Sequence, residues 1–379
     1  MERKTDTTMQ TWTITAGEQN QRFDKYLKRR LPEAGASFLY KMLRKKNITL
    51  NGKKATGAEL VRAGDEAALF LSDETIEKFR GTGGEGENRR PQPSSLRVPV
   101  VYEDEHLLLA VKPFGVLSQK ARPDDFSMNE WLEDYLRQSG WLTPERLAMY
   151  KPSVCNRLDR NTGGLLLCAK TLAGSQLLAA LLKSRTLKKY YRLVVQGEIS
   201  QAGEIRGYLQ KETAANRVRM ERIAGTGAAA NFAASAAPPA QESASPRKAP
   251  IALHGSGDTD TSPQKGRRHE PPAAYSETHY VPLRRGGGLT LLEALLVTGK
   301  THQLRVHFAA QGHPIAGDPK YGGAALNERL RRRFGLRHQL LFACRVEFPQ
   351  SLPEPFGYLA GRVFTAPEPE VFRAVMNGK

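Results

Sequence analysis

The chain is poor in cysteine, in acid and in long apolar runs, and each shortage removes a class of protein. Three cysteines, Cys155, Cys168 and Cys344, stand in 379 residues with no Cys-x-x-Cys spacing. An odd, scattered set supports neither a disulfide framework nor a zinc site; it reads as reduced thiols packed as small apolar groups. The longest apolar runs, such as Leu177 to Leu182, are far too short to span a bilayer. The opening MERKTDTTMQTWTI lacks the apolar centre of a secretory signal. No stretch has the aromatic-rich, basic amphipathic pattern of a membrane-surface helix. A cytoplasmic protein without membrane contact is expected. Acid is outnumbered, with 39 Asp and Glu against 57 Lys and Arg, a formal net charge of +18. That imbalance attracts a polyanion, most often nucleic acid.

What is present falls into blocks. Residues 1–20 form an N-terminal segment, and 21–72 read as a small module. In it, RFDKYLKRRL places Phe23, Tyr26, Leu27 and Arg30 at helical spacing. Ser37 is a plausible N-cap for a second helix, FLYKMLRKKN, with an apolar stripe of Leu39, Met42 and Leu43. Lys41, Arg44 and Lys45 lie away from that stripe. ITLNGKK predicts a strand ending in an Asn51-Gly52 turn, and Gly64-Asp65 leads into the strand EAALFL. Residues 73–95, rich in Gly, Arg and Glu, read as a linker.

From residue 96 to 379 the pattern is that of a larger domain. VPVVYEDEHLLLAVKPFGVLS suggests two strands joined at Glu103-Asp104-Glu105. Phe126 to Leu136 and Leu172 to Lys183 look helical, and YYRLVVQG is a strand stopped by Gly197. Residues 224–274 are rich in Ala, Pro, Ser and Gly; they have little to bury and read as a disordered insertion. Strands resume at SETHYVPL and LTLLEALLVTG, THQLRVHFAAQGHPI is taken as a further strand, and LLFACRVEF follows. Many strands with interspersed helices predict an α+β fold, a mixed, mainly antiparallel sheet flanked by helices behind a small α/β module.

The stretch SVCNRLDRNTGGLLLCAK sets one carboxylate, Asp159, between Arg157 and Arg160 and ahead of the apolar run Leu165-Leu166-Leu167. Cations keep such an acid ionised. It suits a nucleophile, a metal ligand or a structural anchor. No cluster of companion ligands lies close in sequence, which leaves nucleophile against anchor.

Five segments in order carry a resemblance. NRLDRNTGGLLLCAK resembles the catalytic motif of the RluA family of pseudouridine synthases, which typically reads HRLD followed by a T-S-G turn and an apolar strand. YEDEHLLLAVKPFGVLS, with Lys112, Pro113 and Gly115, resembles the family's opening motif. KKYYRLVVQG resembles its K-x-Y strand, and the step to Gly197 selects Tyr191 over Tyr190. TGKTHQLRVHFAAQGHPIAGDPKYG resembles its T-G-R/K-T-H-Q-I-R-V-H segment, and HQLLFACRVEFP its closing one. Asn156 and Gly164 are read as standing where the family usually has His and Ser. The small module's layout, two helices and then strands with those two turns, resembles the RNA-binding module of ribosomal protein S-four.

The resemblance implies an RNA pseudouridine synthase whose catalytic domain spans 96–379. Asp159 is the expected nucleophile, and Arg305 the expected cation that pairs with it and aims it. Strand alternation sets Arg305 opposite Leu304, Val306 and Phe308. Tyr191 is expected to pack against the base. Arg157 is expected to fill the space left by an everted nucleotide, and Arg160 to meet phosphate, as do Lys41, Arg44 and Lys45. The reaction is an isomerisation, so no cofactor or metal is expected. The expected partner of a monomeric enzyme is RNA, foremost large-subunit rRNA or a ribosome-assembly intermediate, with tRNA next.

Rival motifs are weaker. TGKT at Thr298 to Thr301 lacks the earlier glycine of a phosphate loop, since position 294 is alanine. His302 and His307 would face opposite sides of a strand and so could not share a metal. A non-catalytic RNA-binding or ribosome-assembly factor on the same scaffold is the main alternative; Asp159, Tyr191 and Arg305 together argue against it.

Overall fold

In the computed structural model, residues 9–80, 96–122, 124–212, 217–222 and 273–378 are described. The first block holds β1 (Met9–Thr13), α1 (Phe23–Arg30), α2 (Ala36–Arg44), β2 (Ile48–Leu50), β3 (Lys53–Lys54), β4 (Glu66–Phe70) and α3 (Asp73–Arg80). Its four strands run antiparallel in the order β1-β4-β2-β3. Phe23, Tyr26 and Leu27 of α1 and Leu39, Met42 and Leu43 of α2 fill the core beneath them. Asn51 and Gly52 have φ of 51° and 71°, the positive values that a two-residue hairpin needs.

Both edges of this module lie beyond the expected limits. Residues 9–13, read as part of a leading segment, form β1 against β4, because Trp12 and Ile14 alternate into the core. The expected linker 73–95 begins as helix α3. Ile76 is fully buried and Phe79 packs beside it, so two apolar residues suffice to dock that turn. The rest of that linker, 81–95, lies outside the described residues. Ser37 does not cap α2 but lies inside it; the helix starts at Ala36 behind Gly35.

The second block contains β5 (Val100–Glu103), β6 (Leu107–Lys112), α4 (Met128–Gln138), α5 (Pro144–Met149), β7 (Ser153–Val154), β8 (Gly163–Ala169), α6 (Leu172–Ser184) and β9 (Lys188–Gln196). It continues with β10 (Gly203–Glu212), β11 (Arg217–Arg222), β12 (Ala274–Gly286), β13 (Leu289–Leu296), α7 (Gln303–Ala310), α8 (Ala324–Phe334), β14 (Leu341–Glu347), β15 (Val363–Thr365) and α9 (Glu370–Asn377). The eleven strands make one mixed sheet, β11-β10-β12-β13-β9-β14-β8-β6-β5, with β15 on β14 and β7 on β8. Among the described strands, the single parallel pair is β14 with β8. The α+β fold, mainly antiparallel with flanking helices, is as expected. Nearly all of the expected insertion lies outside the described residues, which resume at 273 between β11 and β12.

Both faces of the sheet are covered, which explains the unbroken apolar run of β8. Leu107 and Leu109 enter one core with Leu165, Leu167 and residues of α6, α8 and α9. Leu108, Ala110 and Leu166 enter the other with residues of α4 and α7. Alternate side chains of one strand thus serve opposite cores. The small module docks at α5 and α6: Arg29 Nη1 donates to the Met149 carbonyl at 2.8 Å, and Gln176 Nε2 to that of Asn20 at 2.7 Å.

One element has the wrong type in the sequence reading. The segment around Arg305, expected as a strand, is helix α7. Leu304, Val306 and Phe308 mimic period two, but Gln303 through Phe308 are all buried, so no polar face marks a helical period. The strand argument about His302 and His307 therefore falls. His302 precedes the helix, His307 lies within it against Ser276 Oγ at 2.8 Å, and His313 Nδ1 lies 2.9 Å from the Gln196 carbonyl.

Candidate active site

Asp159 lies in the turn between β7 and β8, and its neighbours fasten that turn. Leu158 is buried; its amide donates to Ser118 Oγ at 3.0 Å, and that hydroxyl donates to the Leu158 carbonyl at 2.9 Å. Lys112 is fully buried at the end of β6. Its Nζ donates to the carbonyls of Pro113 at 2.9 Å, Val116 at 2.6 Å and Arg160 at 3.0 Å. Burial pulls this amine down to about 7, against the pull of Asp159. Three carbonyl acceptors match the three N–H groups of the protonated form. With Leu158 held inward, Arg157 and Arg160 are exposed and Asp159 is half-buried at the mouth.

Arg305 arrives from the buried helix α7 with 6% of its surface exposed. Its Nη1 donates to Asp159 Oδ2 at 3.1 Å. Its Nε and Nη2 grip the fully buried Asp318 at 2.7 and 2.9 Å, a two-point contact that fixes the guanidinium plane. Burial by itself would push the Asp318 carboxyl up; the bonds and charge of Arg305, with the amides of Lys320 and Tyr321, outweigh it and hold the group below its ordinary value. Burial pulls Arg305 down, and the two carboxylates more than reverse this, so it stays charged.

Tyr191 stands on β9, and burial, reinforced by the charge of Asp159, pushes its phenol far above its ordinary value. It is a neutral phenol at physiological pH. Tyr190 serves elsewhere: Arg345 lies 3.6 Å from its ring centre, and its hydroxyl donates to Glu347 at 3.2 Å.

Asp159, Arg305 and Tyr191 line a cleft of about 920 Å³. Asp159 is the one carboxylate among its described lining residues, facing Arg157, Arg160, Arg185, Lys189, Lys211, Lys300 and Arg305. Asp159, Tyr191, Arg305, Arg157 and Arg160 are thus brought together. Lys41, Arg44 and Lys45 are not in this cleft; they are exposed on α2 and at its C-cap.

Sequence reasoning missed Asp318, His302 and Tyr321. A signal for the first existed: Asp318 is the only acid in the Thr298–Gly322 segment that carries Arg305. The two departures from the family motif also resolve locally. Asn156 Oδ1 accepts the Leu167 amide at 2.7 Å, so it ties the turn to β8. Gly164, read as replacing the serine, cannot be the serine position. Its φ is +112°, and a Cβ there would lie 2.2 Å from the Ala343 carbonyl oxygen. In Thr162-Gly163-Gly164 the serine position is Gly163, where a Cβ would press on the Phe114 ring at 3.1 Å.

Ligand-type atoms of Glu204, Glu277 and His279 come within 4.8 Å of one another on β10 and β12. Arg206 Nη2 lies 2.9 Å from Glu204 and 3.6 Å from Glu277, which makes the group an ion-pair network. Among the described residues no helix is long and apolar enough to cross a membrane.

A carboxylate held by a buried arginine, among the cations of a cleft in a mixed sheet, suits an enzyme that works on a polyanion. The sequence profile of the RNA pseudouridylate synthase family matches residues 106–310, and the chain belongs to that family. It is an RNA pseudouridine synthase, an isomerase. It is 26% identical to ribosomal large subunit pseudouridine synthase C of Vibrio cholerae, over 86% of this chain and 85% of the relative. It is 27% identical to synthase C of Escherichia coli K12, over 88% and 87%. Synthase D of Nitrosomonas europaea is 27% identical over 79% of this chain and 69% of that protein. The solved structure of human RNA pseudouridylate synthase domain containing 4 shares the fold, with TM-score 0.50 and 17% identity over 73% of this chain and 91% of that one.

Proposed function

We propose that this chain isomerises specific uridines of large-subunit ribosomal RNA in the cytoplasm, with Asp159 as nucleophile. The carrying observation is that Asp159 is the lone carboxylate among the described residues of the cationic cleft, 3.1 Å from a buried guanidinium. The names of the relatives support the rRNA substrate.

The reaction breaks the bond between ribose C1′ and uracil N1, turns the base, and joins C5 to C1′. C5 loses a proton and N1 gains one, so no group enters or leaves overall. Asp159 opens it, and Arg305 holds the carboxylate in place. A uridine stacked in RNA must first leave the stack, which costs about a few kcal/mol. Exposed Arg157 enters the space left behind, Tyr191 packs on the everted base, and Arg160 meets phosphate. Residues 9–80 add an RNA-binding module, with Lys41, Arg44 and Lys45 on phosphates of the same molecule. Its likeness to the ribosomal protein S-four module supports this part.

The test is to incubate purified full-length protein with large-subunit rRNA transcripts and map pseudouridines. Wild type is expected to convert a small set of uridines. Asp159→Asn is expected to convert none while still binding RNA. A wild-type protein that binds rRNA and leaves every uridine unchanged would establish the binding-factor reading instead.

A further inference from the structure

The mechanism so far makes no use of His302, which stands beside Asp159 with a backbone that few side chains adopt. Its φ and ψ are 55° and 17°, left-handed values at the N-cap of α7. Such a conformation persists where the surroundings over-determine it. Here Gln303, 2% exposed, does so. Its Oε1 accepts the Thr298 hydroxyl at 2.7 Å and the Lys300 amide at 3.1 Å. Its Nε2 donates to the Glu277 carbonyl at 2.9 Å and to Thr278 Oγ1 at 3.0 Å, both on β12.

The imidazole is oriented as firmly as the backbone. Nδ1 lies 2.9 Å from the Tyr321 hydroxyl, and that oxygen already accepts the Val218 amide at 3.1 Å. With that oxygen already accepting the Val218 amide, the phenol proton is assigned to Nδ1 and the ring's own proton to Nε2. Burial lowers the pKa of His302, against the pull of Asp159, so the ring is neutral near pH 7. Nε2–H has no hydrogen-bond acceptor among the described residues. It lies 3.9 Å from Asp159 Oδ2, too long for a hydrogen bond.

An oxygen placed about 2.8 Å from both atoms would complete the geometry, provided that it donates to Oδ2 and accepts from Nε2. A hydroxyl does both. In a ribonucleoside the 2′-hydroxyl is one carbon from C1′, so a carboxylate acting at C1′ or on the 2′ hydrogen has that oxygen beside it. We propose that His302 receives the ribose 2′-hydroxyl of the target uridine, bridged to Asp159, and so selects ribose over deoxyribose at the reacting nucleotide. Tyr321 is a positioning residue that sets the tautomer of His302. The proposal rests on the reading of Asp159 given above and adds the group that its neighbour recognises. A 2′-hydroxyl is the feature by which a site tells RNA from DNA.

The test uses full-length enzyme and synthetic oligoribonucleotides spanning the uridine found by rRNA mapping. At that one position the sugar is ribose or 2′-deoxyribose. Single-turnover rates give a ribose-to-deoxyribose ratio, which is independent of the fraction of a variant that folds. Wild type is expected to favour ribose by about 100-fold, the size expected when a polar group of the site loses its hydrogen-bond partner. His302→Asn keeps a residue tolerant of the left-handed backbone but is too short to bridge. This variant and His302→Ala are expected to lose ribose activity selectively, taking the ratio below about 10. The proposal falls if wild type converts the two sugars at similar rates, or if either variant keeps the wild-type ratio. If wild type converts no ribose substrate, the reading of the enzyme fails first and takes this with it. If wild type is active and only the ratio behaves otherwise, the enzyme reading stands and the role of His302 is refuted.

Discussion

Replacing Asp318 by Asn separates the geometry of the site from its chemistry. The wild-type carboxylate is fully buried and takes two Arg305 N–H groups at 2.7 and 2.9 Å, with the Lys320 and Tyr321 amides at 2.8 and 3.1 Å. Asparagine keeps the shape but turns one acceptor into a donor, so an N–H would face an N–H of Arg305. The buried guanidinium would then keep one amide oxygen and, as its charged partner, Asp159, whose side chain is 31% exposed. Breaking one side of a buried pair costs about 3–5 kcal/mol. A Coulomb estimate for charges about 4 Å apart at an effective dielectric near 20 gives about 4 kcal/mol, the same size. The urea midpoint is expected to fall by about 1 M or more. With Arg305 no longer held from behind, conversion is expected to drop about 100-fold through misalignment. Asp159→Asn is the control: Arg305 keeps Asp318, so stability should stay within about 1 kcal/mol of wild type while conversion disappears. Urea unfolding and single-turnover conversion are measured on both. A wild-type midpoint and rate for Asp318→Asn, or equal destabilisation by the two changes, would refute the reasoning.

Three further outcomes are expected. Lys112→Met removes three carbonyl contacts and should lower stability by about 2–3 kcal/mol; conversion should fall more than RNA binding, as titration of binding against rate will show. His307 is fully buried, and burial pushes it down to about 4 from 6.5. Its depressed value means that the folded state holds the neutral ring, so its share of stability is complete above pH 6.5. Up to about 3 kcal/mol is lost as the pH falls from 6.5 towards 4. The difference between wild-type and His307→Leu unfolding curves should show that loss in this window alone. Changing Lys41, Arg44 and Lys45 together to Ala should reduce the slope of log affinity against log salt by about 2–3; an unchanged slope would take α2 off the RNA.

Much of the architecture was legible because local rules and burial agree. Helices α1, α2, α4 and α6 each have one apolar stripe and one wet side, so the period shows in the sequence. The Asn51-Gly52 hairpin was readable because its residues tolerate positive φ. Helix α7 failed for the opposite reason: it is buried all round, and a pattern needs contrast. Strand β1 and helix α3 were missed because each contributes only one or two apolar residues to a core formed by other segments.

The sequence by itself determined the chemical inventory: one acid among cations, the tyrosine of a strand, an arginine 146 positions later, and a net positive charge to draw RNA. Only the tertiary structure decided that Arg305 reaches Asp159 from a buried helix with Asp318 behind it. The same is true of His302, which Tyr321 and Gln303 turn towards that carboxylate. The physical reason is distance along the chain. Helical and strand periods act over a few residues, whereas an ion pair across 146 positions exists only once the sheet has brought its two ends together.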